Sequence, residues 1–199
     1  MGPRVPVLYG EAGSLNLEHS QKRSPVPYKY VFQGSVLHIH LQIVAKTYAV
    51  LAPYREAGVE SVCFWYGERQ EQREEVKAVL IVDQENNPGN FRVIPESMMH
   101  VAKLFGSFGW TNLAQIHTHP GRDVEHSRYD DVYVNSRRAV SLVLPSYGAP
   151  ERQFMTSIGV HEYQDYWYLL SPDDKVRRIV TDDNASEGAV IDVRTYRLG

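Results

Sequence analysis

The sequence is poor in cysteine, and Cys63 is the only one it contains. A lone thiol excludes an internal disulfide framework and any zinc site built from several cysteines. A bound metal would therefore depend on His, Asp or Glu side chains. Cys63 itself lies in the apolar run VCFWY, which favours a place in the core over a role as nucleophile.

Long apolar runs and a strong excess of charge are also lacking. No stretch approaches the roughly 20 apolar residues that a membrane helix needs, and the first ten residues have no apolar segment typical of a secretory leader. The formal net charge is −3, which argues against a nucleic-acid-binding protein. We therefore expect a soluble, cytoplasmic protein that binds neither a membrane nor nucleic acid.

The distribution of proline, glycine and periodic segments divides the chain into three parts. Residues 1–27 are rich in Gly, Pro and Ser with little periodicity, which predicts a flexible N-terminal arm. Residues 28–180 mix strand-like and helix-like segments and are predicted to form one domain. Its expected fold class is α/β (α+β), a mixed β-sheet with helices on the outside. Residues 181–199 are assigned to a C-terminal tail that could contain a last edge strand.

Within the domain, local patterns predict the elements on either side of the central stretch. A helix following His40 is expected to end at Pro53 or Gly58. The segment VESVCFWYG reads as a strand and VKAVLIVD as the next one, with QENNPGN after them as a turn. Pro95 is typical of a first helical turn and predicts a helix through PESMMHVAKLFGSFG.

The stretch IHTHPGRDVEHSRYDD, residues 116–131, concentrates the candidate metal ligands. His117 and His119 alternate along a predicted strand and therefore share one face. A Pro-Gly pair then ends the strand, Ser127 begins a helix, and Asp130 lies in its first turn. Two imidazoles and one carboxylate would leave a fourth position open for water, as catalytic zinc sites do.

Simpler explanations exist for parts of this pattern. Ser127 and Asp130 also fit a variant of the capping box, in which the two residues stabilise a helix start. His38 and His40 have the same spacing as His117 and His119. No proline turn follows them and no Ser or Asp lies at the right distance, so they are predicted to be polar residues of a strand.

Two further polar residues lie in the stretch. His126 could tune the site, but a plain loop position is favoured. Asp131 is expected to face solvent, because its side chain points about 100° further round the helix than that of Asp130.

The combination resembles the signature of the JAMM (MPN-plus, Mov34-like) zinc metalloproteases. That signature joins the His-x-His-Pro, Ser and Asp positions to an upstream glutamate, which is followed three and seven residues later by small residues. Glu60, Cys63 and Gly67 have this spacing, although Cys63 stands where glycine is more usual. The resemblance covers about residues 35–170 and extends to the order of strands and helices.

The resemblance implies a fold and a division of roles. The fold would be of the JAMM/cytidine-deaminase-like type. His117, His119 and Asp130 would hold Zn²⁺, Glu60 would act as general base and return the proton to the leaving amine, and Ser127 would stabilise the oxyanion. Glu56 is a neighbouring alternative for the base, but it falls at the predicted end of the preceding helix.

Family membership would also imply a substrate class. JAMM enzymes mostly hydrolyse peptide or isopeptide bonds after the C-terminal glycine of a ubiquitin-like protein. The pattern here is most similar to bacterial stand-alone members, which accompany activating-like and conjugating-like enzymes in ubiquitin-like defence operons. Such a tail would enter in extended form and pair with a backbone edge. The candidate walls of its path are residues 84–90, 121–126 and 146–153.

Three other functions remain open at the level of sequence. A non-catalytic MPN scaffold usually lacks metal ligands, whereas every position of the motif is filled here. A RadC-like protein shares the histidine spacing, but signals for helix-hairpin-helix DNA binding are missing. A JAMM peptidase for sulfur-carrier or other small-protein substrates would have the same motif and cannot be separated by it.

Overall fold

The computed structural model describes residues 29–134 and 136–195. The arm predicted for residues 1–27 lies outside the described residues. The strands, in chain order, are β1 (Val36–Ile39), β2 (Val62–Arg69), β3 (Arg73–Ile81), β4 (Gln84–Asn87), β5 (Asn90–Val93), β6 (Thr111–Thr118), β7 (Val140–Leu144), β8 (Gly159–Tyr163), β9 (Trp167–Leu169), β10 (Ile179–Thr181) and β11 (Ala189–Asp192). The helices are α1 (Leu41–Glu56), α2 (Pro95–Gly106), α3 (Arg128–Tyr133), α4 (Phe154–Ser157) and α5 (Pro172–Arg178).

Within the described residues, the main sheet is mixed and has nine strands in the order β10-β1-β3-β2-β6-β7-β8-β9, with β11 paired to β3. The long antiparallel pairs β3-β2 and β2-β6 form its centre, and β6 and β7 run parallel. Strands β4 and β5 form a separate hairpin. A mixed sheet flanked by helices confirms the predicted fold class.

Alternation along the central strands supplies a hydrophobic core on each face of the sheet. Cys63 and Trp65 of β2 belong to the core that α1 covers. Phe64 and Tyr66 belong to the second core, to which α2 contributes Phe105. Because successive strand residues point to opposite faces, the same strand anchors both layers and holds the residues at its end rigidly.

The first helix ends just before Gly58, as predicted, but the predicted end at Pro53 is wrong. Helix α1 continues through Pro53 to Glu56, and Gly58, with φ of +66°, then turns the chain. Leu51 and Tyr54 on either side of the proline are buried. Their packing stabilises a helical turn that the missing proline N–H would otherwise weaken.

The structure adds two elements that local patterns did not predict. Ser171 accepts a hydrogen bond from the Asp174 amide, and Pro172 occupies the first turn, so α5 has an ordinary helix start. Strand β10 follows at once and pairs in parallel with β1, with Leu37 opposite Ile179. The predicted turn at residues 84–90 is the hairpin of β4 and β5.

None of the helices within the described residues combines the length and the apolar character needed to cross a membrane.

Candidate metal centre

The two histidines of the central motif lie at the carboxyl end of the central strand β6, His117 within it and His119 just after it. His117 lies opposite Val62 of β2 and is fully buried, whereas the side chain of His119 is 12% exposed. Thr118 points away from them, and its hydroxyl oxygen accepts a hydrogen bond from the Ser61 amide at 3.0 Å. The predicted orientation of the pair is confirmed, with one ring inside and one at the surface.

Helix α3 positions the carboxylate of Asp130. Its N-cap is Ser127, whose hydroxyl oxygen accepts the Asp130 amide at 3.2 Å. Oδ2 of Asp130 in turn accepts the amide of Ser127 at 2.7 Å and its hydroxyl at 2.8 Å. The capping box, which offered a simpler explanation for Ser127 and Asp130 than a metal role, is therefore present. It fixes the direction of the carboxylate, so the two explanations are compatible.

Three donor atoms converge from these two elements. One ligand atom each of His117, His119 and Asp130 lies within 4.8 Å of the others. Nε2 of His117 is 3.4 Å from Oδ1 of Asp130, and Nε2 of His119 is 3.3 Å from Oδ2. Two tetrahedral ligands about 2.1 Å from a zinc ion would be about 3.4 Å apart. These two distances therefore suit a tetrahedral ion.

The second ring nitrogen of His119 has a partner of its own. Nδ1 lies 3.1 Å from the carbonyl oxygen of Asp123, to which it can donate. That bond fixes the tautomer in which Nε2 carries the free lone pair, an arrangement common for metal-binding histidines. The loop after the proline turn thus orients the more exposed ligand.

Burial and neighbouring charge shift the pKa values of Asp130 and His119. Burial alone would raise the pKa of Asp130, but His117 and His119 outweigh it and hold the pKa well below its usual range. Burial alone would lower the pKa of His119, yet the hydrogen bond and charge of Asp130, with a further contribution from Glu60, raise it. The site therefore stabilises positive charge where the donors meet.

His117 carries the observation that best tests whether a metal fits. The residue is fully buried, and neither ring nitrogen has a hydrogen-bond partner among the described residues. An unsatisfied buried polar atom costs roughly 1–3 kcal/mol. A cation held by Nε2 would remove one of these penalties, and the nitrogen, nitrogen and oxygen donor set is one that zinc commonly takes.

Glu60 lies beside the donors. Val62 pairs with His117 in the antiparallel register, so Glu60, two residues earlier, falls at the level of His119. It is 6% exposed, not a surface residue at a strand start. Its negative charge is one of the causes of the raised pKa of His119. The predicted base and the predicted ligands are therefore neighbours.

The β4–β5 hairpin clamps the chain on which Glu60 sits. Asn87 accepts the Glu60 amide at 2.9 Å, and the Asn86 side chain donates to the Glu60 carbonyl at 2.7 Å. The side chain of Gln84 accepts from the Val62 amide and donates to its carbonyl, both at 2.8 Å. These side chains imitate a neighbouring strand. The sequence pattern predicted a turn and a candidate wall here, but not this clamp, because the clamp depends on the hairpin folding back over the chain before β2.

His126 lies in a loop, as predicted, and the side chain of Asp131 is 30% exposed, but both residues belong to the surroundings of the site. His126 is buried, with Nε2 2.8 Å from the hydroxyl of Ser141 and Nδ1 3.2 Å from the carboxylate of Asp131. Its ring centroid is 5.6 Å from that of His117, and it stacks on His161 at 3.8 Å. A second layer of imidazoles thus supports the buried ligand.

The three predicted wall segments converge at the site. The Ser146 amide donates to Gly121 and the Tyr147 amide to His119, both at 2.7 Å, and the Tyr147 hydroxyl donates to Pro88 at 3.0 Å. Ser146 and Tyr147 both have φ of 52°, a strained region for residues other than glycine. The strained residues therefore lie in the 146–153 segment, where it is hydrogen-bonded to the other two wall segments.

Close packing also fixes the loop that carries Val124. A Cβ added at Gly159 of β8 would collide with the Val124 carbonyl oxygen. Since this loop lies between the histidines of β6 and the helix that carries Asp130, only glycine at 159 lets it approach the sheet so closely.

The other candidates lie away from the donors or lack access. Nδ1 of His38 is 3.0 Å from Asp182, as expected for a polar strand residue, but His40 is the N-cap of α1 and accepts the Gln42 amide. Cys63 is fully buried, and burial raises the pKa of its thiol, which confirms the core assignment.

Comparison with known proteins finds similarity to a probable metalloprotease. The probable metalloprotease y4jG of Sinorhizobium fredii is 31% identical over 110 residues, which span 52% of this chain and 67% of that protein. The chain belongs to the family of this probable metalloprotease. No family model matches the sequence.

A solved structure shares the fold of this chain. The solution structure of protein DSY2949 from Desulfitobacterium hafniense superimposes with a TM-score of 0.57 over 75% of this chain and 94% of that protein. The two sequences are 17% identical, so the likeness concerns the fold alone.

Proposed function

We propose that the chain is a zinc-dependent peptidase of the JAMM type, which hydrolyses the bond after the C-terminal glycine of a ubiquitin-like protein. The observation that carries the proposal is the meeting of His117, His119 and Asp130 within 4.8 Å, with Glu60 beside them. The kinship with a probable metalloprotease supports the peptidase class, and the motif favours the JAMM type.

Zinc is proposed as the ion because of the donors. Two imidazole nitrogens and one carboxylate are borderline ligands that favour zinc over magnesium or calcium. When bound, zinc would supply Lewis acidity and make water a nucleophile near neutral pH.

The chain's own residues would then control protons and charge. Glu60 would take a proton from the attacking water and return it to the leaving amine. Ser127 would stabilise the oxyanion of the acyl carbon, once its hydroxyl turns from Asp130 towards substrate. Burial of the site on the side of His117 and His126 keeps bulk water from the donors and strengthens each interaction.

The substrate class rests on the shape of the surroundings. A tail ending in glycine is narrow and extended, and could pass between the segments 84–90, 121–126 and 146–153 at the exposed side of His119. An isopeptide conjugate or a linear precursor would present the same tail. An activating-like or conjugating-like enzyme, in a bacterial ubiquitin-like defence pathway of the cytoplasm, would be its natural partner.

A sulfur-carrier or other small-protein substrate is the second candidate, because the same narrow path would accept any tail ending in glycine. A non-catalytic scaffold is disfavoured, because a protein without turnover has no need of a buried carboxylate beside a complete donor set.

The test is a cleavage assay. The substrate is a fusion of a ubiquitin-like protein to a reporter, with the fusion bond after the C-terminal glycine of the ubiquitin-like protein. We expect cleavage after that glycine with zinc, loss of cleavage with chelator, and recovery on re-addition of zinc. Intact fusion at stoichiometric zinc would contradict the proposed substrate, and cleavage that resists chelation would contradict the proposed mechanism.

A further inference from the structure

A cavity adjoins the metal centre on the same face of β6. Its volume is about 180 Å³, and its floor includes Gln115 and Asn112. Gln115 is two residues from His117, so about 7 Å separates their positions along the strand. An extended substrate chain advances about 3.3 Å per residue, so a side chain in this cavity would belong to a residue about two positions from the bond that is cut.

The cavity contains a polar atom that the protein itself leaves unsatisfied. Oδ1 of Asn112 is buried and has no hydrogen-bond partner among the described residues. Buried amides are normally paired, and an unsatisfied one costs stability. Gln115, which is 6% exposed, lines the same cavity and adds a second amide. The unsatisfied oxygen beside this amide indicates a ligand that supplies the missing partner.

The side chains of the cavity walls indicate the shape and charge of the group that would bind. Phe64 and Phe91 are almost fully buried, and Tyr129 closes the side towards α3 through its hydrogen bond to the Phe91 carbonyl. Aromatic walls favour a flat apolar group. Arg92 is the one charged residue among the described residues of the lining, and it is exposed and paired with Glu85. A cationic side chain would therefore find no partner here.

We propose that this cavity is a specificity subsite that receives an uncharged aromatic side chain with a polar tip, of which tyrosine is the natural example. Its ring would lie between the aromatic walls, and its hydroxyl would donate to Asn112 and accept from Gln115. The volume is below the roughly 300 Å³ of a small-molecule pocket and suits one side chain. The inference rests on the proposed peptidase function.

The experiment measures binding without turnover. N-acetyl-L-tyrosinamide and N-acetyl-L-phenylalaninamide are titrated into the zinc-loaded protein, and amide resonances are followed by NMR. We expect shifts around β5 and β6 and about tenfold tighter binding of the tyrosine probe, since one buried hydrogen bond is worth about a factor of ten. Equal affinities, no binding, or shifts confined to other regions would overturn the subsite.

Variants separate recognition from folding. The Asn112→Leu protein should bind the tyrosine and phenylalanine probes with about equal affinity, and its affinity for the phenylalanine probe should not fall below that of the wild type. The Gln115→Met protein should give the same result. Gln72→Leu, at an exposed position, should keep the tenfold preference. A preference that survives in both cavity variants would refute the assignment. Because the probes lack glycine and the bond that follows it, their binding is measured apart from the proposed cleavage. Binding with no cleavage of any fusion would count against the reaction alone, and cleavage without binding against the subsite alone.

Discussion

Replacing Glu60 by Gln is the most informative change to the chemistry. The backbone bonds of Glu60 to Asn86 and Asn87 use its amide and carbonyl, so the variant keeps the clamp that positions this residue. Glutamine has the same size but cannot accept a proton. General acid–base catalysis by one side chain contributes roughly 100- to 10,000-fold, so kcat should fall within that range while the fold persists.

The variant is compared with the wild type for cleavage of the reporter fusion, zinc content and thermal unfolding. Zinc should remain bound, since Glu60 is not one of the three donors. Glu56→Gln provides the matched control, because Glu56 is the competing carboxylate and lies exposed at the end of α1. Wild-type turnover in the Glu60→Gln protein would remove this residue from the mechanism, and a loss of zinc would make it a ligand.

Three further changes test the surroundings of the donors. Ser127→Ala should lower the free energy of unfolding by about 1 kcal/mol through loss of the helix cap and lower kcat by roughly 100- to 1000-fold. A lowered Tm with an unchanged kcat would show that Ser127 acts only as a helix cap. Gly159→Ala should weaken zinc binding by displacing the ligand loop, and wild-type affinity in a zinc titration would show that the loop tolerates the Cβ. Zinc affinity should fall as pH decreases through the raised pKa of His119, because a proton then occupies the nitrogen that zinc needs; affinity independent of pH in calorimetric titrations would contradict this.

Local patterns were sufficient for the elements that carry the ligands. Strand alternation placed His117 and His119 on one face, and the Ser127 cap gave the start of α3. Both features depend on residues within a few positions of each other. The helix end at Pro53 failed for the opposite reason, since packing of Leu51 and Tyr54 in the core decides it.

The rest of the site depends on contacts between distant segments. The roles of His126 and Asp131 follow from their packing against β7 and β8, which no local spacing reports. Gln84 acts on Val62 only because the hairpin folds back over β2. Similarly, the motif located Glu60, but its burial beside His119 follows from the register of β2 and β6.

The zinc content of purified protein tests the central claim most directly. The account predicts about one zinc per chain in the wild type by elemental mass spectrometry, its loss in His117→Ala, and full retention in His38→Ala, which removes a histidine of the same His-x-His spacing in β1. Zinc absent from the wild type, or equal in both variants, would contradict a metal centre built on His117, His119 and Asp130.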